Sequence, residues 1–286
     1  MCRFALYLGP EIRVSSLVTE PSNSIIHQSY RSREAAEPLN GDGFGIAWYD
    51  PLGQGEPTLF KDISPAWNDF NLRQIAPVTR SHCILAHVRA ATLGLSVTQF
   101  NCHPFAWERF AFMHNGTLGG FRRIKRRLQA RLSDEAYDAV KGSTDSEHLM
   151  ALFIDAFRAR QDDGTYQLEK MKAALLEVIE TSEELRKEAG VENERSTLNL
   201  ALTDGNLAVV TRWVSSQGGE PNTLYVHEGT HYVCENGVCR MIDDQQGHGT
   251  VIITSEPLGE DCGWEKVPRN HIVTVDQDRR PQVLPI

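Results

Sequence analysis

Short runs of aromatic and aliphatic residues, bounded by Gly, Pro, Asn and Asp, mark the first part of the chain: Arg3 to Leu8, Phe44 to Tyr49, Cys83 to Val88 and Arg109 to His114. Each reads as a strand. The period then changes. From about Ser146, Leu149, Leu152, Phe153, Ala156 and Phe157 recur at helical spacing behind the capping candidates Ser143 and Thr144. A second helix is predicted from about Tyr166 to Ala189, stopped by Gly190, and its stripe of Leu168, Met171, Leu175, Val178, Ile179 and Leu185 is core packing. Strands return in the last third: Thr197 to Leu202 and Leu207 to Val214 around the Asp204-Gly205 turn, then Thr223 to His227, His231 to Cys234, Thr250 to Thr254 and His271 to Val275.

Strands, then helices, then strands predict an α+β fold and argue against an alternating parallel sheet. The polar stretches Glu192 to Ser196 and Gln217 to Asn222 are surface loops, too short and unbiased to be domain linkers, so residues 1–286 are expected to form one domain. With 41% hydrophobic and 23% charged residues, the composition is that of an ordinary globular protein. No apolar run approaches the roughly 20 residues of a membrane span. The start, Met1 to Leu8, lacks the long apolar region of a secretory signal, so a cytoplasmic location is expected. A net charge of −9 is the wrong sign for binding a phosphate backbone, which excludes nucleic acid as a partner. The basic cluster Arg122, Arg123, Lys125, Arg126, Arg127 and Arg131 wraps around a helix instead of forming one stripe, and reads as a solvated surface more than an anion site.

Cysteines at 2, 83, 102, 234, 239 and 262 form no CxxC pair, and the ten histidines show no metal-ligand spacing, so neither a metal nor a cofactor is expected. The Asn236-Gly237 turn could bring Cys234 and Cys239 across two strands, although a reducing compartment argues against a disulfide there.

Reactive chemistry is suggested first by Cys2. A small second residue permits removal of Met1, leaving a cysteine whose own α-amine, with a reference pKa near 7.7–8.0, can take the thiol proton. His114-Asn115-Gly116-Thr117 follows a strand, and an Asn amide with a glycine N–H can supply the donors an oxyanion needs; a plain Asn-Gly turn is the competing reading. Arg89 follows a hydrophobic strand, where its planar fork matches either a substrate α-carboxylate or a protein carboxylate. Asp145, within Ser143-Thr144-Asp145-Ser146-Glu147, stands at a helix start, where it either caps the helix or pairs with a substrate α-ammonium.

These segments, in this order, resemble the class II, amino-terminal-nucleophile glutamine amidotransferases. The match covers Cys2, Gly41-Asp42-Gly43-Phe44-Gly45, Arg89 to Thr92, Asn101-Cys102-His103-Pro104-Phe105, Asn115-Gly116 and Thr144-Asp145-Ser146-Glu147. Thr254-Ser255-Glu256-Pro257-Leu258 and Trp264 look like the stand-alone YafJ-type branch, which is similar to enzymes that hydrolyse γ-glutamyl amides.

The resemblance implies an Ntn-hydrolase four-layer α/β/β/α sandwich with two antiparallel sheets. It implies Cys2 as nucleophile and base, Asn115 and Gly116 as oxyanion hole, Arg89 and Asp145 as a clamp on the glutamyl carboxylate and ammonium, Thr92 lining the pocket, and His103 in a supporting role. His87 and His114 are expected to be structural. Synthase-fused members of the family have an aromatic where Ala90 stands, a His at Leu93, and an Arg where Leu39-Asn40 precede the Gly-rich segment. The expected activity is hydrolysis of glutamine or a γ-glutamyl peptide through a Cys2 thioester. The alternatives are an ammonia-donating partner of a separate synthase, since no synthase domain follows, or a non-catalytic binder of a glutamyl metabolite.

Overall fold

Phe4, Leu6 and Leu8 face one side of the first strand and Ala5 and Tyr7 the other, and all are completely buried. A strand covered on both faces needs no polar alternation, which explains the unbroken apolar run after Arg3. The computed structural model describes residues 2–34, 39–50, 55–90, 96–160, 164–215, 219–235, 237–243 and 249–286.

In chain order the strands are β1 (Arg3–Arg13), β2 (Phe44–Tyr49), β3 (Pro57–Asp62), β4 (Arg80–Val88), β5 (Phe105–Trp107), β6 (Phe110–Thr117), β7 (Thr197–Thr203), β8 (Ala208–Val214), β9 (Tyr225–Gly229), β10 (His231–Glu235), β11 (Val238–Ile242), β12 (Thr250–Thr254), β13 (Glu265–Lys266), β14 (His271–Val275) and β15 (Pro281–Pro285). A seven-stranded sheet runs β13-β9-β12-β1-β4-β2-β3, and a six-stranded sheet runs β15-β14-β8-β7-β6-β5. Their neighbouring strands pair antiparallel. The inner faces meet in a shared core that includes Phe4, Leu6, Leu85, Met113, Val210 and Val273. Alternate residues of the central strands supply this layer, as sandwich packing requires.

Helices α1 (Ser15–Val18), α2 (Ile25–Arg31) and α3 (Phe70–Ile75) cover the outer face of the first sheet, together with the β10–β11 pair. The outer face of the second sheet carries α4 (Phe121–Gln129), α6 (Asp145–Arg158) and α7 (Gln167–Glu188), with α5 (Asp134–Ala139) packed at the side through Ala136. The result is the α/β/β/α sandwich that the resemblance implies. Among the described residues, no helix is long and apolar enough to cross a membrane. On α4 only Ile124 and Leu128 are buried, so most of the basic cluster lies on an exposed helix surface.

Register decides where the chemistry emerges. Arg3 of β1 and Phe44 of β2 both pair with Val88 of β4, so Cys2, the Gly41–Gly43 segment and Arg89 leave the first sheet at the same end. One sequence expectation is corrected here. Cys234 and Cys239 stand opposite each other in the β10–β11 ladder, their Cα atoms 4.0 Å apart, and they are joined as a disulfide, which the expected compartment argued against.

Candidate active site

Cys2 precedes β1 by one residue and is half-buried, its Sγ 3.6 Å from the Ala90 carbonyl oxygen. Burial pushes its thiol pKa up, and the nearby charges of Arg89 and Arg3 only partly oppose this. A resting thiol therefore needs a base before it can attack. The backbone around it is fixed by Arg3, whose Nη1 donates to the Cys2 carbonyl at 2.8 Å and whose Nε donates to Glu256 Oε1 at 2.7 Å. Both members of this ion pair are 1% exposed. Burial alone would raise the Glu256 pKa, but donation from Ser32 Oγ, the Arg33 N–H and Arg3 holds it below the usual carboxylate range.

Arg89 is buried at the end of β4. Its main-chain N–H donates to Gly43 O at 2.9 Å, and Nη1 donates to Asp42 O at 3.3 Å. Among the described residues its guanidinium meets no carboxylate, so the competing reading of an internal salt bridge finds no partner there. Gly43 sits at φ 107° with Asp62 O and Cys102 Sγ packed behind it, leaving no room for a Cβ. Only glycine fits this turn against Asp62 and Cys102, and its carbonyl is the one that accepts the Arg89 N–H.

Asn115 and Gly116 end β6. Asn115 is completely buried; its Nδ2 lies 3.3 Å from Ser255 Oγ, and its Oδ1 accepts from Asn222 Nδ2 at 2.9 Å. Ser255 Oγ also accepts the Phe4 N–H of β1 at 3.1 Å. This hydroxyl thus ties the oxyanion candidate in the second sheet to the strand that carries Cys2 in the first. A Cβ on Gly116 would stand 1.8 Å from Thr197 O, so the close approach to β7 admits no side chain.

Asp145 is the first residue of α6, but it is not the cap. Thr144 caps the helix by accepting the Glu147 N–H, while Glu147 accepts the N–H groups of Lys141 and Gly142. Asp145 Oδ2 instead accepts the Leu118 N–H at 2.8 Å, and Oδ1 accepts the Ser146 N–H at 2.9 Å. Helix and strand end are thereby locked together, with the half-buried carboxylate beside the segment that follows Gly116.

Three buried histidines lie beneath these residues. His114 bridges Ser146 Oγ (3.0 Å) and Thr197 O (3.1 Å), and His87 Nε2 lies 3.2 Å from His114 O. His103 stacks on His87 at 4.1 Å between ring centroids and abuts Phe105 at 4.5 Å. Burial lowers the pKa of all three, His87 to about 3. They are neutral; His87 and His114 tie β4, β6 and α6 together, while among the described residues His103 contributes ring packing alone. Thr92 and Leu93 lie outside the described residues. A cavity of about 580 Å³ lies beside the strand end, lined by Thr117, Asp145, Arg122, Arg123 and Arg195 among others, but not by Cys2, Arg89, Asn115 or Gly116.

Sequence reasoning gave no role to Arg3, Ser255, Glu256 or Asn222. The available signal was Arg3, a charge opening an otherwise apolar strand, and the polar Ser255-Glu256 pair directly after β12.

A family model described as "Glutamine amidotransferases class-II" matches residues 15–282. The "Probable glutamine amidotransferase DUG3" of Saccharomyces cerevisiae is 39% identical over 96% of this chain and 82% of its own length. The "Gamma-glutamyl-hercynylcysteine sulfoxide hydrolase" of Mycobacterium tuberculosis is 27% identical over 97% of this chain and 94% of its own. In structure, a glutamine aminotransferase class-II domain protein from Silicibacter pomeroyi superposes with a TM-score of 0.67 at 26% identity, covering 99% of both chains.

Proposed function

The chain belongs to the class-II glutamine amidotransferases, and from that premise we propose that Cys2, freed by removal of Met1, hydrolyses the amide bond of a γ-glutamyl compound. The carrying observation is the convergence of Cys2, Arg89 and the Asn115-Gly116 pair from two sheets onto one end of the sandwich, with Asp145 tied to the same strand end.

The Cys2 α-amine takes the thiol proton, and Sγ attacks the γ-carbonyl carbon. Negative charge collects on the carbonyl oxygen, where the Asn115 side-chain amide and the Gly116 N–H receive it. As the intermediate collapses, the C–N bond breaks, and the ammonium formed from the α-amine returns its proton to the departing nitrogen. Water then attacks the thioester, giving glutamate and restoring the thiol. Arg89 takes the substrate α-carboxylate and Asp145 the α-ammonium; Thr92 lines the pocket, and His103 supports the wall behind Arg89. Release of an amine, with no ammonia-accepting partner, is favoured by the near-full-length likeness to a relative named as a γ-glutamyl hydrolase.

We read the chain as one domain, because β12 and β14, near its carboxy end, complete sheets that contain β1 and β6. Hydrolysis of glutamine, glutathione and other γ-glutamyl compounds by the processed enzyme tests the function, with intact mass checking the loss of Met1. Turnover of none of them by enzyme that has lost Met1 would overturn it.

A further inference from the structure

We infer that Asn222 is a positioning residue for the oxyanion hole: it sets which end of the Asn115 amide faces the nucleophile. The inference rests on the reading of Asn115 as an oxyanion donor. An asparagine amide turned by 180° presents oxygen where nitrogen stood, and in an oxyanion hole that exchange converts attraction into repulsion. Something must therefore hold one orientation.

Asn222 does so because its own amide is fixed by a second bond: turning it as well would set its oxygen against the main-chain oxygen of Asn115. The Asn222 Nδ2 donates to Asn115 Oδ1 at 2.9 Å and to the Asn115 main-chain oxygen at 3.2 Å. Were the Asn115 amide turned round, two NH₂ groups would confront each other in a site where Asn115 has no exposed surface. On the opposite side Asn115 Nδ2 meets Ser255 Oγ at 3.3 Å, and that oxygen accepts from Phe4, two residues beyond Cys2. The donor end is thus aimed at the start of β1. Asn222 is itself held from behind. Its carbonyl accepts from Asn199 Nδ2 at 2.9 Å and from Arg212 Nε at 3.0 Å, and Asn199 pairs directly with Asn115 across β6 and β7.

Substituting an acid for this amide separates positioning from packing. In Asn222→Asp the shape is kept, but the ionised group only accepts, so it repels Asn115 Oδ1 and draws the amide nitrogen toward itself. Asn115 then turns its oxygen to the reaction centre. With L-glutamine or glutathione as substrate, Asn222→Asp should lower kcat by as much as Asn115→Ala, about 10²–10³-fold, with little change in KM. Asn222→Ala, which only frees the amide, should lose less. A merely structural role predicts instead a lowered melting temperature with kcat of the folded enzyme unchanged.

The double variant Asn115→Ala/Asn222→Asp should be no slower than Asn115→Ala alone. Should the acid variant not fold, the same cycle with Asn222→Ala decides: additive losses overturn the inference and non-additive losses support it. An Asp variant as active as the Ala variant, or losses confined to KM, would overturn it too. If Asn115→Ala keeps full kcat, the oxyanion assignment fails and takes this inference with it. If Asn115→Ala is slow while the Asn222 variants are not, only the inference falls.

Discussion

Arg3 reaches back from the first residue of β1 to donate to the carbonyl oxygen of Cys2 at 2.8 Å. The nucleophile's backbone is therefore held by its own neighbour, and that neighbour is anchored on Glu256 within a buried pair. Replacing Arg3 by Met keeps much of the volume but leaves Glu256 charged and buried. Breaking such a pair typically costs about 3–5 kcal/mol. The retained donors from Ser32 and Arg33 place the expected loss at the lower end. Urea denaturation should show it, with partial recovery in Arg3→Met/Glu256→Gln. An unchanged midpoint in Arg3→Met would show that the pair contributes nothing.

Thiol reactivity gives a second prediction. Cys83 and Cys102 are buried, and burial raises both thiol pKa values, Cys83 to about 12. Cys262 is exposed. A general alkylating agent should therefore modify Cys262 readily. A glutamine-like diazoketone should modify Cys2, beside Arg89, in preference to Cys102, which packs behind Gly43 near the same arginine with its thiol pKa raised by burial, and Cys2→Ala should abolish both labelling and turnover. Peptide mapping decides, and diazoketone label on Cys262 counts against the assignment.

How much of this was legible beforehand depended on how local the signal was. The run after Arg3 read as a strand, but its extension to Arg13 did not, because Gly9-Pro10 interrupts the pattern and the ladder to β4 shifts register between Leu8 and Ile12. Helix α1 is only four residues long, too short to show a period. Asn115-Gly116 and Arg89 stood out because each follows a strand directly. Ser255 and Asn222 did not, since their meaning lies in contacts with Asn115 across 140 and 107 residues of chain. Asp145 was half legible: the helix start was visible, but that Thr144 takes the capping role and leaves Asp145 to Leu118 needed coordinates.

The buried histidines predict acid sensitivity. His87 titrates near 3 in the fold against about 6.5 when unfolded, and burial depresses His103 and His114 in the same direction. Below about pH 6.5 the unfolded chain binds protons that the folded chain refuses, so stability falls as pH drops through this window and the effect vanishes above it. For His87 alone the loss from pH 6.5 to 4.5 is about 2 kcal/mol. The Glu256 contribution is lost only lower, as pH falls below the usual carboxylate range. Urea midpoints at pH 7.5, 6 and 5 test this, and His87→Gln should flatten the slope. Equal midpoints across that range would rule it out.

The last prediction concerns recognition. Arg89 meets no carboxylate among the described residues, and Asp145 spends its oxygens on Leu118 and Ser146 while remaining half-buried beside the same strand end. Two opposite charges so placed suit the zwitterionic end of a glutamyl group. Arg89→Ala should therefore barely shift the melting temperature, because among the described residues it leaves no carboxylate unpaired and removes only a 3.3 Å hydrogen bond to the Asp42 carbonyl. It should weaken kcat/KM by an amount corresponding to about 2–5 kcal/mol, the usual loss on truncating one side of a buried charged contact. Arg89→Lys should recover only part, since a point charge cannot reproduce the planar fork. Asp145→Asn keeps a carbonyl oxygen for the Leu118 N–H but loses the charge, so it should erase the preference for glutamine over an analogue lacking the α-amino group. If both variants melt far below the unsubstituted enzyme and still discriminate against that analogue, the two residues hold the scaffold and the clamp is wrong.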